Sequence, residues 1–239
     1  MFHHLRILSL ALFFISLNVS AAQQDALPKR IQASYVVTKN GQAFANVHEK
    51  FVVTGNTYSV ESTTKGIGVY ALLGERKLTS TGKLTSKGLQ PKHFELHQGD
   101  NAKKALITDF DWPKRKLQML VKGELKEADL ATGTQDLASF AYQFMYLPRP
   151  LKNNITVTLT TGKKLNQYIY KVKPEKELLS VAGSQYKTVH LTPINQNKDQ
   201  VESKELWLDA ERNYILVRFL MVDENGAKLE QTLTELNVD

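Results

Sequence analysis

The sequence contains no cysteine, and this absence excludes several classes of protein. None of the 239 residues is Cys, so disulfide scaffolds, thiol-based catalysis and cysteine-ligated zinc sites are ruled out. Acidic residues are in the minority: 31 Lys and Arg stand against 24 Asp and Glu, which gives a net charge of +7. Because 42% of the residues are hydrophobic, disorder is excluded as the main state. The composition therefore indicates an ordered, mildly basic protein of one domain.

Only the N-terminus carries a long and nearly continuous apolar run. This run covers residues 7–17, follows Arg6, and precedes small residues that allow cleavage after Ala21 or Ala22. The pattern is typical of a secretory signal peptide, and the run is too short for a transmembrane helix, which needs about 20 apolar residues. We therefore expect a signal peptide over residues 1–21 and a single mature domain over residues 22–239. The predicted location is the bacterial periplasm, where a chain without thiols suits the oxidising conditions.

Alternation of apolar and polar residues with a period of two dominates the mature chain. It is clear in residues 31–37, 117–121 and 155–159, and turn sequences such as Asn40-Gly41 and Asn225-Gly226 occur near such runs. This pattern predicts antiparallel strands with one buried face. We predict a mainly β fold, in which one strongly curved antiparallel sheet forms a half-barrel of about a dozen strands. The same sheet is expected to wrap around one or two short helices.

One segment, from Gln135 to Leu147, has helical periodicity. Its apolar residues recur at i, i+3, i+4 and i+7 and include Phe140 and Phe144. Thr132 and Gln135 have the spacing of a capping box, which places the start of a helix at this point. Because apolar side chains cover most of the surface of such a helix, we predict that it is buried on the concave face of the sheet.

A second apolar segment runs from Gly66 to Gly74. Its glycine spacing matches a dinucleotide-binding fingerprint, but that fingerprint requires a parallel βαβ unit, and here the neighbouring strands are predicted to be antiparallel. The segment is either a fixed half-helix that completes the core or a mobile flap that buries its side chains when closed and exposes them when a ligand enters. Apolar side chains combined with glycines favour a weakly stable flap as much as a permanent helix. The predicted ligand-binding residues are Ile67, Val69, Tyr70, Leu72 and Leu73.

Two other constellations carry potential chemistry. His93 and His97 have the i, i+4 spacing of a zinc-binding helix, but on a strand that spacing separates them by about 13 Å, too far to share a metal ion. Asp109 and Asp111 would lie about 7 Å apart on one strand face, a separation compatible with glycosidase chemistry. We expect no metal site, no cofactor and no nucleic-acid binding, because the lysine clusters lack interleaved aromatic residues.

Four stretches of sequence resemble a family of exported bacterial proteins of unknown function. They are Phe110–Trp112, Gly133–Phe140, Val181–Ser184 and Leu206–Asp209. Since that family has no agreed activity, the resemblance assigns no catalytic residue.

The C-terminal part of the chain also resembles the ending of LolA-type lipoprotein carriers. This resemblance rests on Leu206–Asp209, Ile215–Arg218 and Asp223–Gly226. It implies a half-barrel of antiparallel strands that is closed by helices over an apolar cavity for acyl chains. The sequence departs from the carrier pattern because it contains one evident helix where the carriers have several.

The sequence leads to one preferred function and two alternatives. We expect a non-enzymatic binding or envelope-accessory protein of the periplasm, which holds a lipid or another amphiphile and has no transmembrane segment in its mature chain. One alternative is a periplasmic glycan hydrolase that uses Asp109 or Asp111. The other is a structural interaction module that pairs through an exposed strand edge. The sequence identifies no protein partner.

Overall fold

The computed structural model describes residues 27–99, 105–194 and 203–239. The predicted signal peptide over residues 1–21 and the cleavage positions after Ala21 and Ala22 lie outside these ranges. No helix within the ranges is long and apolar enough to cross a membrane.

Fifteen strands form a single sheet. Every neighbouring pair is antiparallel except β9 and β10, which run parallel. The strands are β1 (Arg30–Lys39), β2 (Gln42–Thr54), β3 (Thr57–Gly66), β4 (Arg76–Thr85), β5 (Gly88–Gln98), β6 (Leu106–Asp111), β7 (Lys116–Val121), β8 (Glu124–Asp129), β9 (Gln135–Asp136), β10 (Asn154–Thr160), β11 (Leu165–Val181), β12 (Ser184–Pro193), β13 (Ser203–Asp209), β14 (Leu216–Val222) and β15 (Lys228–Val238).

The sheet is strongly curved but not closed. Its order runs from β8 back to β1, then through β15 back to β9, so the first and last strands of the chain pair at its centre. The curvature brings β9 onto the opposite half, where the Gln135 side-chain amide donates a hydrogen bond of 2.9 Å to the Leu89 carbonyl of β5. The predicted mainly β, curved antiparallel fold is therefore confirmed, with fifteen strands in place of about a dozen.

The period-two pattern fixes which side chains face the concave side. Ile31, Ala33 and Tyr35 of β1 are all buried there, and the residues between them are more exposed. The predicted turn at Asn40-Gly41 follows β1, and both residues have positive φ angles of 52° and 80°. Such angles suit Asn and Gly in a tight hairpin, so the chain reverses there and β2 continues the sheet.

The prediction of one helix from Gln135 to Leu147 is wrong. Gln135 and Asp136 form strand β9, and the helical part is limited to α1 (Phe140–Gln143) and the 3₁₀ helix η2 (Phe144–Tyr146). The reason is the Asp136 carboxylate, which accepts hydrogen bonds of 2.9 Å from the backbone N–H groups of both Ala138 and Ser139. These bonds form a side-chain turn before the helix starts, so the capping box at Thr132 and Gln135 does not occur.

The two short helices still lie on the concave face, as predicted. Phe144 is 2% exposed and packs among the buried residues of β12, β13 and β14, whereas Phe140 is only partly buried. The Tyr142 ring stacks on Phe51 of β2 with a centroid distance of 4.8 Å. The helices therefore join the two halves of the curved sheet through aromatic contacts.

Candidate functional site

The strand ends around the β3–β4 connection form one end of the curved sheet, which we call the open end. The connection contains the 3₁₀ helix η1 (Gly68–Leu73). The β1–β2 turn and the β14–β15 turn lie at the same end, because β14, β15, β1, β2 and β3 are consecutive antiparallel neighbours. The predicted ligand-binding segment is therefore located at an end of the half-barrel.

Helix η1 folds over the concave face of the sheet. Gly66 follows Ser62 and Thr64 on that face of β3, and a Cβ atom added to Gly66 would lie 2.2 Å from the Tyr70 carbonyl oxygen. The η1 backbone thus occupies the space into which a side chain at position 66 would point. Only glycine allows this close approach, so Gly66 is needed for the position of η1.

Both ends of η1 are tied to neighbouring strands. At its start, the Ile67 N–H donates to the Phe44 carbonyl at 2.9 Å, and the Tyr70 ring lies 4.6 Å from the Phe44 ring. At its end, the Gln98 side-chain amide donates to the Leu73 carbonyl at 2.8 Å. Helix η1 is therefore tied to β2 through Ile67 and Tyr70, and to β5 through Leu73.

The predicted ligand-binding residues differ in exposure. Val69 is 75% exposed, Leu72 is 90% exposed and Leu73 is 60% exposed, whereas Ile67 and Tyr70 are partly buried. Helix η1 contains no buried residue. The alternative in which this segment completes the core is therefore wrong. The burial expected of a closed flap is not observed either, because Val69, Leu72 and Leu73 face water.

Partly buried apolar side chains line the concave face beside η1. Val37 pairs with Ala45 of β2, which in turn pairs with Gly66 beneath η1. On the other side of Val37, Gln231 and Phe219 continue the same row across β15 and β14. In this row, Val37 and Phe219 are only partly buried. Their apolar surface is therefore accessible to water near the open end.

An arginine lies on the concave face at the start of β4, three residues after the end of η1. Arg76 shares that face of β4 with the buried residues Leu78 and Ser80, and it pairs with Thr64 on one side and with Gln98 on the other. Its neighbour Gln98 is also the residue whose side chain holds the end of η1. The Arg76 side chain is partly buried, and burial lowers the pKa of its guanidinium group.

Among the described residues, two carboxylates near Arg76 in the chain or the sheet are engaged elsewhere. Glu75 pairs with Lys65 at 3.3 Å. Glu49, one row further in on β2, accepts hydrogen bonds from the Tyr142 hydroxyl at 2.9 Å and from the Ser62 hydroxyl at 3.2 Å. Across residues 27–99, 105–194 and 203–239, no hydrogen bond or ion pair is formed by the Arg76 side chain. Its guanidinium group is thus a concave-face cation without an anionic partner in that part of the protein.

A polar network deeper in the half-barrel connects the helices to the sheet. The Ser80 hydroxyl donates to Asp136 at 2.6 Å and lies 3.1 Å from the Tyr58 hydroxyl. Burial raises the pKa of Asp136 to about 6, against the lowering effect of hydrogen bonds from Ser80, Ser139 and Ala138. Burial also raises the pKa of Glu49. Neither carboxylate was identified from the sequence, although Glu49 alternates with the concave-face residues Val47 and Phe51.

The predicted hydrolase pair lies on the outer face of β6. Asp109 is 60% exposed and pairs with His93 at 2.7 Å, while Asp111 accepts a hydrogen bond of 3.0 Å from the Lys114 backbone N–H. On the same outer face, His93 and His97 both contact Glu95, at 2.8 Å and 2.7 Å. The two aspartates thus serve a surface ion-pair ladder and a turn.

A second cluster of ion pairs lies on the outer face. It could not be recognised in the sequence, because its residues come from separate strands. The two ring nitrogens of His190 lie 3.0 Å from Glu177 and 2.7 Å from Glu205. The His190 ring stacks on Trp207 at 4.1 Å, and the Arg218 guanidinium group lies 4.6 Å from the centre of the Trp207 ring. Both histidine nitrogens are engaged, so the cluster stabilises the sheet surface and leaves no free base.

Comparison with known proteins identifies the family. The family model described as a protein of unknown function, DUF3108, matches residues 30–234. The chain belongs to this family. The match covers every strand of the sheet except the last residues of β15, so the DUF3108 domain includes the open end and η1. A comparison with curated proteins finds no match.

Solved structures show a similar architecture. A β-barrel-like protein of the DUF1849 family from Brucella abortus has a TM-score of 0.57 and 13% identity, over 90% of this chain and 99% of that chain. A putative lipoprotein from Parabacteroides distasonis has a TM-score of 0.38 and 10% identity, over 88% of this chain and 97% of that chain. The first similarity supports the β-barrel-like fold of this DUF3108 member. The C-terminal resemblance to LolA-type carriers is not confirmed by these matches.

Proposed function

We propose that this DUF3108 protein is exported to the periplasm and binds an apolar or amphiphilic envelope molecule at its open end without catalysing a reaction. The observation that carries the proposal is the position of η1. It lies over the concave face beside partly buried apolar residues, while Val69, Leu72 and Leu73 are all at least 60% exposed. In this proposal, η1 acts as a flap whose apolar side chains contact the ligand.

The arrangement of η1 makes displacement easy. A six-residue 3₁₀ helix has poor hydrogen-bond geometry, and η1 contains Gly68 with a φ angle of 59°. Because no residue of η1 is itself buried, displacing it breaks its contacts with Phe44 and Gln98 but withdraws no core side chain. A bound amphiphile would instead remove the side chains of η1 from water, at about 25 cal/mol per Å² of apolar surface. Ligand binding therefore favours a rearranged η1.

The two alternative functions have less support. Asp109 and Asp111 lie on the outer face, where His93 and Lys114 engage them, so a glycan hydrolase would need a different constellation. The edge strand β8 carries Glu124, Lys126, Glu127 and Asp129. Charges of this kind on an edge discourage pairing with another strand, which argues against an interaction module that uses this edge.

A fluorescent fatty acid tests the proposal. We expect the wild-type protein to bind dansyl-undecanoic acid and the Leu72→Asp variant to bind it at least about tenfold more weakly, because a charge is placed in the apolar contact. The matched control is Leu178→Asp on β11, where the leucine is 70% exposed and lies near the β11–β12 turn, at the end of the sheet opposite to the open end. Both variants should unfold within about 1 kcal/mol of the wild type because both positions are exposed. Equal binding by Leu72→Asp and the wild type, or no binding by the wild type, would contradict the proposal.

A further inference from the structure

Arg76 offers a specific contact that η1 and the apolar row do not provide. It is a permanent cation on the concave face, at the start of the strand that follows the segment that the proposed ligand would displace. Its neighbours in the same row are Thr64 and Gln98, which are polar but uncharged. The Gln98 amide is occupied by the carbonyls of Leu73 and Gly74, so it does not compete for an anion.

Among the described residues, Arg76 has no anionic partner although its side chain is partly buried. A cation that is partly removed from water without a counter-ion is less favourable than a paired one. Here Glu75 is turned toward Lys65, and Glu49 is held by Tyr142 and Ser62. Burial also raises the pKa of Glu49, which reduces the negative charge available to Arg76. A ligand that brings its own anionic group would remove this cost.

From this arrangement we infer that Arg76 receives the head group of an anionic amphiphile, so that the ligand class of the open end is an acyl or alkyl chain with a carboxylate or phosphate head. This inference rests on the proposed function and adds the chemistry of the ligand. The planar guanidinium group can donate two parallel hydrogen bonds to either head group. The chain would then extend from Arg76 along the apolar row that includes Val37 and Phe219.

The alternative role of Arg76 is purely structural. Its methylene groups would cover the neighbouring leucines Leu78 and Leu96, while the charge reaches water at the open end. In that case the residue would affect stability and not distinguish between ligands. The two roles differ in whether replacement of Arg76 changes the preference for a charged head group.

Three competitors with the same twelve-carbon chain separate these roles: laurate, dodecyl phosphate and dodecanol. Each is titrated against the wild-type protein loaded with dansyl-undecanoic acid. We expect laurate or dodecyl phosphate to displace the probe at least about tenfold better than dodecanol, in line with the strength of a charge-assisted hydrogen bond. The better of the two anions identifies the head group. Equal displacement by all three compounds would overturn the inference, while the proposed function would stand.

Variants at position 76 complete the test, with dodecanol binding measured directly by calorimetry. In Arg76→Gln the advantage of the anions over dodecanol should fall to less than about twofold, with dodecanol affinity unchanged, because only the charge is removed. Arg76→Lys should keep part of the advantage. The matched control is Lys77→Gln, an exposed position next in the same strand that faces outward. A shift of the melting temperature in Arg76→Gln with the full anion preference retained would establish the structural role and overturn the inference.

Discussion

Replacement of Asp136 with Asn should change how the stability of the protein depends on pH. The Asp136 side chain is fully buried and links the Ser80 hydroxyl of β4 to the backbone N–H groups of Ala138 and Ser139 before α1. An Asn side chain can still accept both backbone hydrogen bonds through its oxygen. Its amide can donate to the Ser80 oxygen, so the variant should keep the network and lose only the ionisation.

The size of the effect follows from the pKa. Burial raises the pKa of Asp136 from its ordinary value of 3.8 to about 6, so the folded protein binds a proton that the unfolded chain releases between these values. The corresponding stabilisation is fully present below pH 3.8 and is lost as the pH rises through about 6. At 1.36 kcal/mol per pKa unit, the loss amounts to about 3 kcal/mol. The Asn variant has no proton to lose at this position and should not show it.

Urea unfolding between pH 3.5 and pH 8, followed by tryptophan fluorescence, measures this difference. We expect the free energy of unfolding of Asp136→Asn, relative to the wild type, to increase by about 3 kcal/mol from the acidic to the neutral end. Asp111→Asn is the control, because the Lys114 backbone hydrogen bond lowers the pKa of Asp111 and any pH effect has the opposite sign. A constant difference between Asp136→Asn and the wild type across this range would refute the assignment of Asp136 as a carboxyl group destabilised by burial.

Two further predictions concern the helices. Phe144→Ala should lower the free energy of unfolding by about 3 to 5 kcal/mol, and Phe140→Ala by clearly less, because only Phe144 of the two is fully buried. Equal losses for the two variants in urea unfolding would contradict the packing described for α1 and η2. Gly66→Ala should displace η1, since the added Cβ meets the Tyr70 carbonyl, whereas Val69→Ala only trims an exposed side chain of the same helix. Hydrogen exchange over residues 67–74 should therefore rise more in Gly66→Ala, and equal exchange in both variants would count against the close approach at Gly66.

The sheet could be predicted from the sequence because its cause is local. Alternation in segments such as Ile31–Val37 reflects one buried face, and the turn at Asn40-Gly41 reflects a conformation that few residues adopt. The order of the strands and their curvature could be proposed only in outline. The error at Gln135 and Asp136 shows the limit: the apolar spacing was helical, but the side-chain hydrogen bonds of Asp136 stop the helix short of that point.

The candidate site could be predicted only in part. The apolar residues of η1 stand out because they follow one another in the sequence, but their exposure depends on the contact between Gly66 and Tyr70. The face on which Arg76 lies could be predicted, since it is two residues before Leu78 in the same strand. That it has no anionic partner among the described residues became clear only from the register of β3, β4 and β5 and from the contacts of Glu75 and Glu49.

Native mass spectrometry of the protein purified from the periplasmic fraction without detergent tests the central claim most directly. We expect the wild-type protein to carry one amphiphile per chain, with a carboxylate or phosphate head group in the released molecule. Leu72→Asp purified in the same way should carry markedly less of it, and Leu178→Asp should carry as much as the wild type. A ligand-free mass for the wild-type protein, or equal amounts of the same lipid on Leu72→Asp and Leu178→Asp, would contradict the assignment of the open end as a binding site.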